Sequence, residues 1–88
     1  MKIVINTCFG GFSIKDEIVS QYGFSKYSES RTNKKLIELI ESGVDCNGCY
    51  ANLAVVDIPD RATDYFINDC DGNERIIYVK DGKLYFLY

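Results

Sequence analysis

The chain contains no histidine, no tryptophan, a single proline (Pro59) and no apolar run longer than a few residues. Each absence removes a class of chemistry. Without histidine there is no Ser-His-Asp or Cys-His nucleophilic machinery and no imidazole ligand for a metal. The apolar segments fall far short of the ~18 residues of a membrane-spanning helix. The N-terminal apolar stretch Ile3–Ile5 is too short for the core of a secretory signal. The expected setting is therefore the cytoplasm, with no membrane partner and with Cys8, Cys46, Cys49 and Cys70 as reduced thiols. Positive charge is also scarce. Ten Lys and Arg stand against thirteen Asp and Glu, a net charge of −3. Arg31, Arg61 and Arg75 are scattered and form no basic stripe, so duplex DNA or RNA is not an expected partner. A small anion stays open, because backbone N–H groups hold phosphate in proteins of any net charge.

What is present describes one folded domain covering residues 1–88. The sequence is 47% hydrophobic with seven glycines, which argues against disorder and collagen-like structure. A domain of this size buries only about 60–65% of its unfolded surface, so a ligand or an oligomer is a natural source of further stability.

Lys2–Thr7 reads as a strand and Gly10-Gly11 breaks it. Ser13 fits a helix N-cap with Asp16 at the third helical position, the helix running on through Glu17, Ile18 and Val19 to about Tyr22 and ending at Gly23. Phe24–Arg31 reads as loop. A second helix starts near Thr32 or Asn33, carries Leu36, Ile37, Leu39 and Ile40 as an apolar stripe, and stops at Gly43; Lys34 and Glu38 form its i,i+4 pair. Strands follow at Leu53–Ile58, Tyr65–Asn68, Arg75–Val79 and Leu84–Tyr88. Asp71-Gly72 lies in the third connection, and Asp81-Gly82 suits a type I′ hairpin turn. The order β-α-α-β-β-β-β predicts an α+β fold, with a mostly antiparallel sheet of about five strands covered on one side by two helices. The last strand, LYFLY, is apolar on both faces, so it is central, buried by a second subunit, or left with its tyrosine hydroxyls in solvent.

Three constellations carry potential chemistry. Thr7-Cys8-Phe9-Gly10-Gly11-Phe12-Ser13 joins a strand to a helix, where free N–H groups and paired glycines suit an anion and two aromatics suit a base. It matches neither dinucleotide-fold nor P-loop spacing, and a tight turn with both Phe in the core is the plain structural alternative. Cys46-Asn-Gly-Cys49 follows a helix, the wrong side for a redox motif. It supplies two zinc ligands that Cys8 and Cys70, or a second subunit, would have to complete; structural cysteines in a turn are the alternative. Asp64, Asp69, Asp71 and Glu74 form an acidic stretch without metal-loop spacing. Arg31, in a polar loop before a helix, fits either a phosphate clamp or a surface ion pair.

The segments Lys2-Ile-Val-Ile-Asn with Cys8-Phe-Gly-Gly-Phe-Ser13, Arg31-Thr-Asn with the following helix, Asn47-Gly with Tyr50-Ala, Leu53-Ala-Val-Val-Asp-Ile-Pro-Asp60 and Phe66-Ile with Asp71-Gly and Glu74 resemble a family of small bacteriophage proteins. That family is identified with the anti-CBASS cyclic-nucleotide sponges, immune-evasion proteins that sequester 3′3′-cGAMP-type messengers as homotetramers. Cys46, Cys49 and the LYFLY tail depart from the pattern. The resemblance implies binding without catalysis, no cofactor, a cyclic oligonucleotide ligand and a homo-oligomer. On that basis the N–H groups of Gly10, Gly11 and Phe12 and the Ser13 hydroxyl are expected on phosphate, with Phe9 or Phe12 on a base. Thr7 or Asp71 is expected at the base edge, and Arg31 as the phosphate cation. A protein-interaction inhibitor of a host defence factor is the alternative, followed by a small zinc-binding or messenger-degrading protein.

Overall fold

The computed structural model describes residues 1–87, so Tyr88 of the expected last strand lies outside the described residues. The elements are β1 (Lys2–Asn6), α1 (Asp16–Tyr22), a short 3₁₀ turn (Ser28–Ser30), α2 (Lys34–Glu41), β2 (Leu53–Asp57), β3 (Asp64–Cys70), β4 (Asn73–Lys80) and β5 (Lys83–Phe86). The expected α+β order is thus observed. The five strands do not form one sheet, however. β1 and β2 pair antiparallel as one unit, and β3-β4-β5 form a second, antiparallel throughout.

The division follows from which faces are apolar. Val4 joins Ile14, Ile18, Leu36, Ile37, Leu39, Cys46 and Leu53 in a core against the helices. Ile3 and Ile5, on the opposite face of the same strand, join Val56, Ile58 and Ile76 in a second core against the three-stranded sheet. The β1-β2 pair is therefore the middle layer of three. That is why β1 reads as an unbroken Ile-Val-Ile run rather than an alternating one. Burying each such side chain contributes about 1.5–3 kcal/mol, and Ile3, Val4 and Ile5 are all at most 1% exposed.

Several local details differ from expectation. Ser13 does not cap α1: the N-cap is Lys15, with no side-chain bond. Residues 13–15 are tied into extended structure instead. Ile14 bridges to Asn47, its N–H donates to Lys26 O, and Lys15 N–H donates to Cys46 O. Asp16 and Glu17 in the first turn complement the helix dipole in place of a cap. The start of α2 agrees with the sequence, as Asn33 Oδ1 accepts from the N–H of Lys35 and Leu36. The ion pair on this helix is Lys35–Glu38 at i,i+3, not Lys34–Glu38. β3 and β4 extend to Cys70 and Asn73, so the loop between them is only Asp71-Gly72. Asp71 and Gly72 both have positive φ, as do Asp81 and Gly82, the signature of type I′ hairpins. Two tight hairpins therefore build the second sheet, and β5 is its edge strand rather than a central one.

Candidate functional site

The glycine loop leaves β1 at Asn6, whose side chain is fully buried. Asn6 Nδ2 donates to Cys8 O at 2.8 Å and to Gly72 O at 2.6 Å. Its Oδ1 accepts from Asn52 N–H at 2.8 Å and from the Cys8 thiol at 3.4 Å. One amide thus ties the loop, the β3-β4 turn and the approach to β2 together. Asn6 N–H donates to Glu74 Oε1 at 2.8 Å. Glu74 also receives Arg31 through a two-pronged contact, Nη1 to Oε1 at 2.8 Å and Nη2 to Oε2. Arg31 Nη1 further donates to Val4 O at 3.0 Å.

Arg31, expected as a phosphate cation, is paired within the protein here. Its guanidinium is directed inward onto Glu74, which is 4% exposed, and lies 4.5 Å over the Phe12 ring. A buried carboxylate needs such a partner, and a planar fork matches it better than an ammonium does. Phe12 packs beside the helix-side core with one ring face taken by Arg31. Phe9 is 70% exposed. Of the two aromatics, Phe9 is the one free to stack on an incoming base.

The loop is also braced through its backbone. Gly10 N–H donates to Asp71 O at 3.2 Å, so Gly10 has no N–H to offer an anion. Gly10 and Gly11 have φ of 156° and 116°. A Cβ on Gly10 would overlap the Tyr50 carbonyl, and one on Gly72 would overlap Gly11 N. Gly10 and Gly72 are needed because backbone segments touch there, whereas nothing lies near a Cβ on Gly11 and only its positive φ calls for glycine. Among the described residues, no backbone acceptor takes the N–H of Gly11, Phe12 or Ser13. The Thr7 hydroxyl donates to Asn52 O at 2.8 Å and accepts from Asn52 Nδ2 at 3.0 Å, so Thr7 is fully engaged. Ser13 lies against Gly48, whose N–H donates to Ser13 O. Asp71 stays beside the loop with its side chain exposed.

The structure thus brings Thr7, Phe9, Gly10, Gly11, Phe12, Ser13 and Asp71 around one loop, with Arg31 behind it. Sequence reasoning missed Asn6, Asn52 and Tyr50. Tyr50 is 75% exposed and flanks Gly10, giving the loop a second free aromatic. An asparagine directly after the apolar Ile3-Val4-Ile5 run and just before the glycine loop was the available signal for Asn6, since a buried amide at such a place must bond to backbone.

The cysteines separate. Cys46 is 1% exposed in the helix-side core and Cys49 is on the surface. Burial, reinforced by the Asp45 carboxylate, pushes the Cys46 thiol pKa up. Among the described residues no three His, Cys, Asp or Glu side chains gather as for a metal, and no helix is long and apolar enough to cross a membrane. No protein-family model, no curated protein and no solved structure matches the chain.

Proposed function

We propose that this chain is a phage-encoded immune-evasion protein that binds a cyclic oligonucleotide second messenger of the 3′3′-cGAMP type and holds it uncleaved, as a homo-oligomer in the host cytoplasm. One observation carries the reading: among the described residues the N–H groups of Gly11, Phe12 and Ser13 have no backbone acceptor, and the loop that holds them carries the exposed Phe9 and borders the exposed Tyr50. Adjacent N–H groups form a concavity for phosphate oxygens, and exposed aromatic faces accept stacked bases of any identity. A phosphate flanked by bases is the chemistry of a cyclic oligonucleotide. The exposed carboxylate of Asp71, at the adjoining turn, is the acceptor this reading assigns to a base edge. Arg31 holds the loop through Glu74 and Phe12 and touches no ligand. The resemblance in the N-terminal Cys8-Phe-Gly-Gly-Phe segment supports the same reading, and the absence of histidine suits binding without hydrolysis.

The test is a thermal-shift screen against cyclic di- and trinucleotides, with linear nucleotides as controls. A ligand at 100 times its Kd stabilises by about 2.7 kcal/mol, worth roughly 10–20 °C in a domain this small. Heating the complex and recovering the nucleotide intact separates sequestration from cleavage. A cooperative melt unmoved by every nucleotide refutes the proposal. The exposure of Phe9 and Tyr50 also favours a second reading, an inhibitor that docks on a host defence protein. Stoichiometric capture of one host protein, lost on Phe9→Ala and without a nucleotide shift, selects it.

A further inference from the structure

The outer edge of β5 is built to pair. In the β4-β5 hairpin the turn is Asp81-Gly82, and Lys80 stands opposite Lys83. In a two-residue hairpin that closing pair is hydrogen-bonded, so Lys83, Tyr85 and Leu87 turn their N–H and C=O groups toward β4. The 2.9 Å bond from Leu87 N–H to Ile76 O fits this phase. Leu84 and Phe86 consequently direct theirs to the other side, where no strand lies among the described residues. Their side chains are 64% and 77% exposed, and Phe66, in register across Ile77, is 50% exposed. Edge strands of monomeric proteins carry proline, a bulge or central charge. β5 has only Lys83, at its first position.

We propose that β5 pairs antiparallel with β5 of a second copy of this chain about a twofold axis, Leu84 opposite the partner's Phe86. This register places Tyr85 opposite the partner's Tyr85. It forms four main-chain hydrogen bonds, from the N–H groups of Leu84 and Phe86 and their symmetry equivalents. Leu84 and Phe86 lie on one face, so the apolar rows of the two sheets run on without a break. The two Lys83 residues fall at opposite ends of the pair, about 14 Å apart along the strand direction, and do not confront each other. Leu84, Tyr85 and Phe86 together expose roughly 300 Å² per copy. That is well below the about 800 Å² per partner of a tight interface, so the dimer dissociates at micromolar concentration. The pairing names the surface through which the oligomer of the preceding reading forms, yet it is tested without any nucleotide.

The experiment is sedimentation equilibrium of the full chain from micromolar to submillimolar concentration, beside three variants. Phe86→Lys puts a charge on the paired edge. Leu84→Pro removes only an outward N–H, leaving the β4 ladder whole. Tyr27→Lys alters another exposed aromatic, on the α1–α2 connection. The wild-type mass is expected to double with concentration. Each β5 variant should raise the dissociation constant at least tenfold with an unchanged circular dichroism spectrum, while Tyr27→Lys leaves it as it was. A wild type that stays monomeric at submillimolar concentration overturns the proposal. So does a folded Phe86→Lys or Leu84→Pro protein that dimerises as tightly as wild type.

Discussion

Replacing Asn6 separates the amide network from simple packing. In Asn6→Ala the Asn52 N–H loses its acceptor, and the carbonyls of Cys8 and Gly72 lose a donor. A buried N–H left unpaired costs about 1–3 kcal/mol, and a carbonyl with a free second lone pair costs less. With the small cavity added, the loss is about 3–4 kcal/mol. Domains of this size have roughly 4–13 kcal/mol in all, so the variant should melt about 12–32 °C lower.

Asn6→Asp decides the cause. It keeps shape and volume but offers two oxygens where Cys8 O and Gly72 O need a donor, and it adds a charge to a fully buried site beside Glu74. If volume alone matters, Asp should be nearly neutral; if the network matters, Asp should be at least as damaging as Ala. Urea denaturation of the three proteins measures this. Both variants within 1 kcal/mol of wild type, or Asp well tolerated and Ala not, would refute the role given to Asn6.

Three further outcomes are expected. Gly72→Ala should cost more than about 2 kcal/mol, because its Cβ meets Gly11 N, whereas Gly82→Ala, with similar φ but nothing nearby, should cost only the left-handed penalty of about 1 kcal/mol; paired denaturation curves check the difference. Phe9→Ala should leave stability within about 0.5 kcal/mol, yet weaken cyclic-nucleotide binding by about tenfold or more in calorimetry. The raised Cys46 thiol pKa makes stability fall at alkaline pH: the contribution is complete below the unfolded value of about 8.5 and is lost as pH rises through the higher folded value. Cys46→Val should flatten that alkaline decline in a pH series of melts.

Element order and both helices were legible because their signals are local. The apolar stripe of α2, the asparagine at its start and the Asp-Gly pairs each act within a few residues. The partition into two sheets was not legible, since Ile3 and Ile5 face a different core from Val4 only once β4 supplies Ile76. Ser13 is an ordinary cap by sequence, but pairing of Ile14 with Asn47 holds the segment extended and leaves Lys15 at the helix start. Arg31 misled for a related reason. Its partner lies 43 residues away on β4, and no spacing rule connects a loop arginine to a strand glutamate at that distance. The glycine loop was found from its own residues, while its brace came from Asn6, Asn52 and Glu74, distant in sequence and joined only by the fold.

That brace fixes how the loop meets an anion. With Arg31 neutralised by Glu74 behind the loop, the groups facing solvent there are backbone dipoles, aromatic faces and the Asp71 carboxylate, whose repulsion of an anion salt would only weaken. Dipoles act at contact range, whereas a free guanidinium would attract over the Debye length of about 10 Å at 0.1 M salt. Binding at this loop should therefore lose less than about threefold in affinity between 0.05 and 0.5 M salt, far less than a multi-cation phosphate site loses over the same range. Calorimetric titrations of wild type at both ionic strengths measure it. A loss well above tenfold would mean that a cation contacts the phosphate, and would return Arg31, freed from Glu74 on binding, to the ligand.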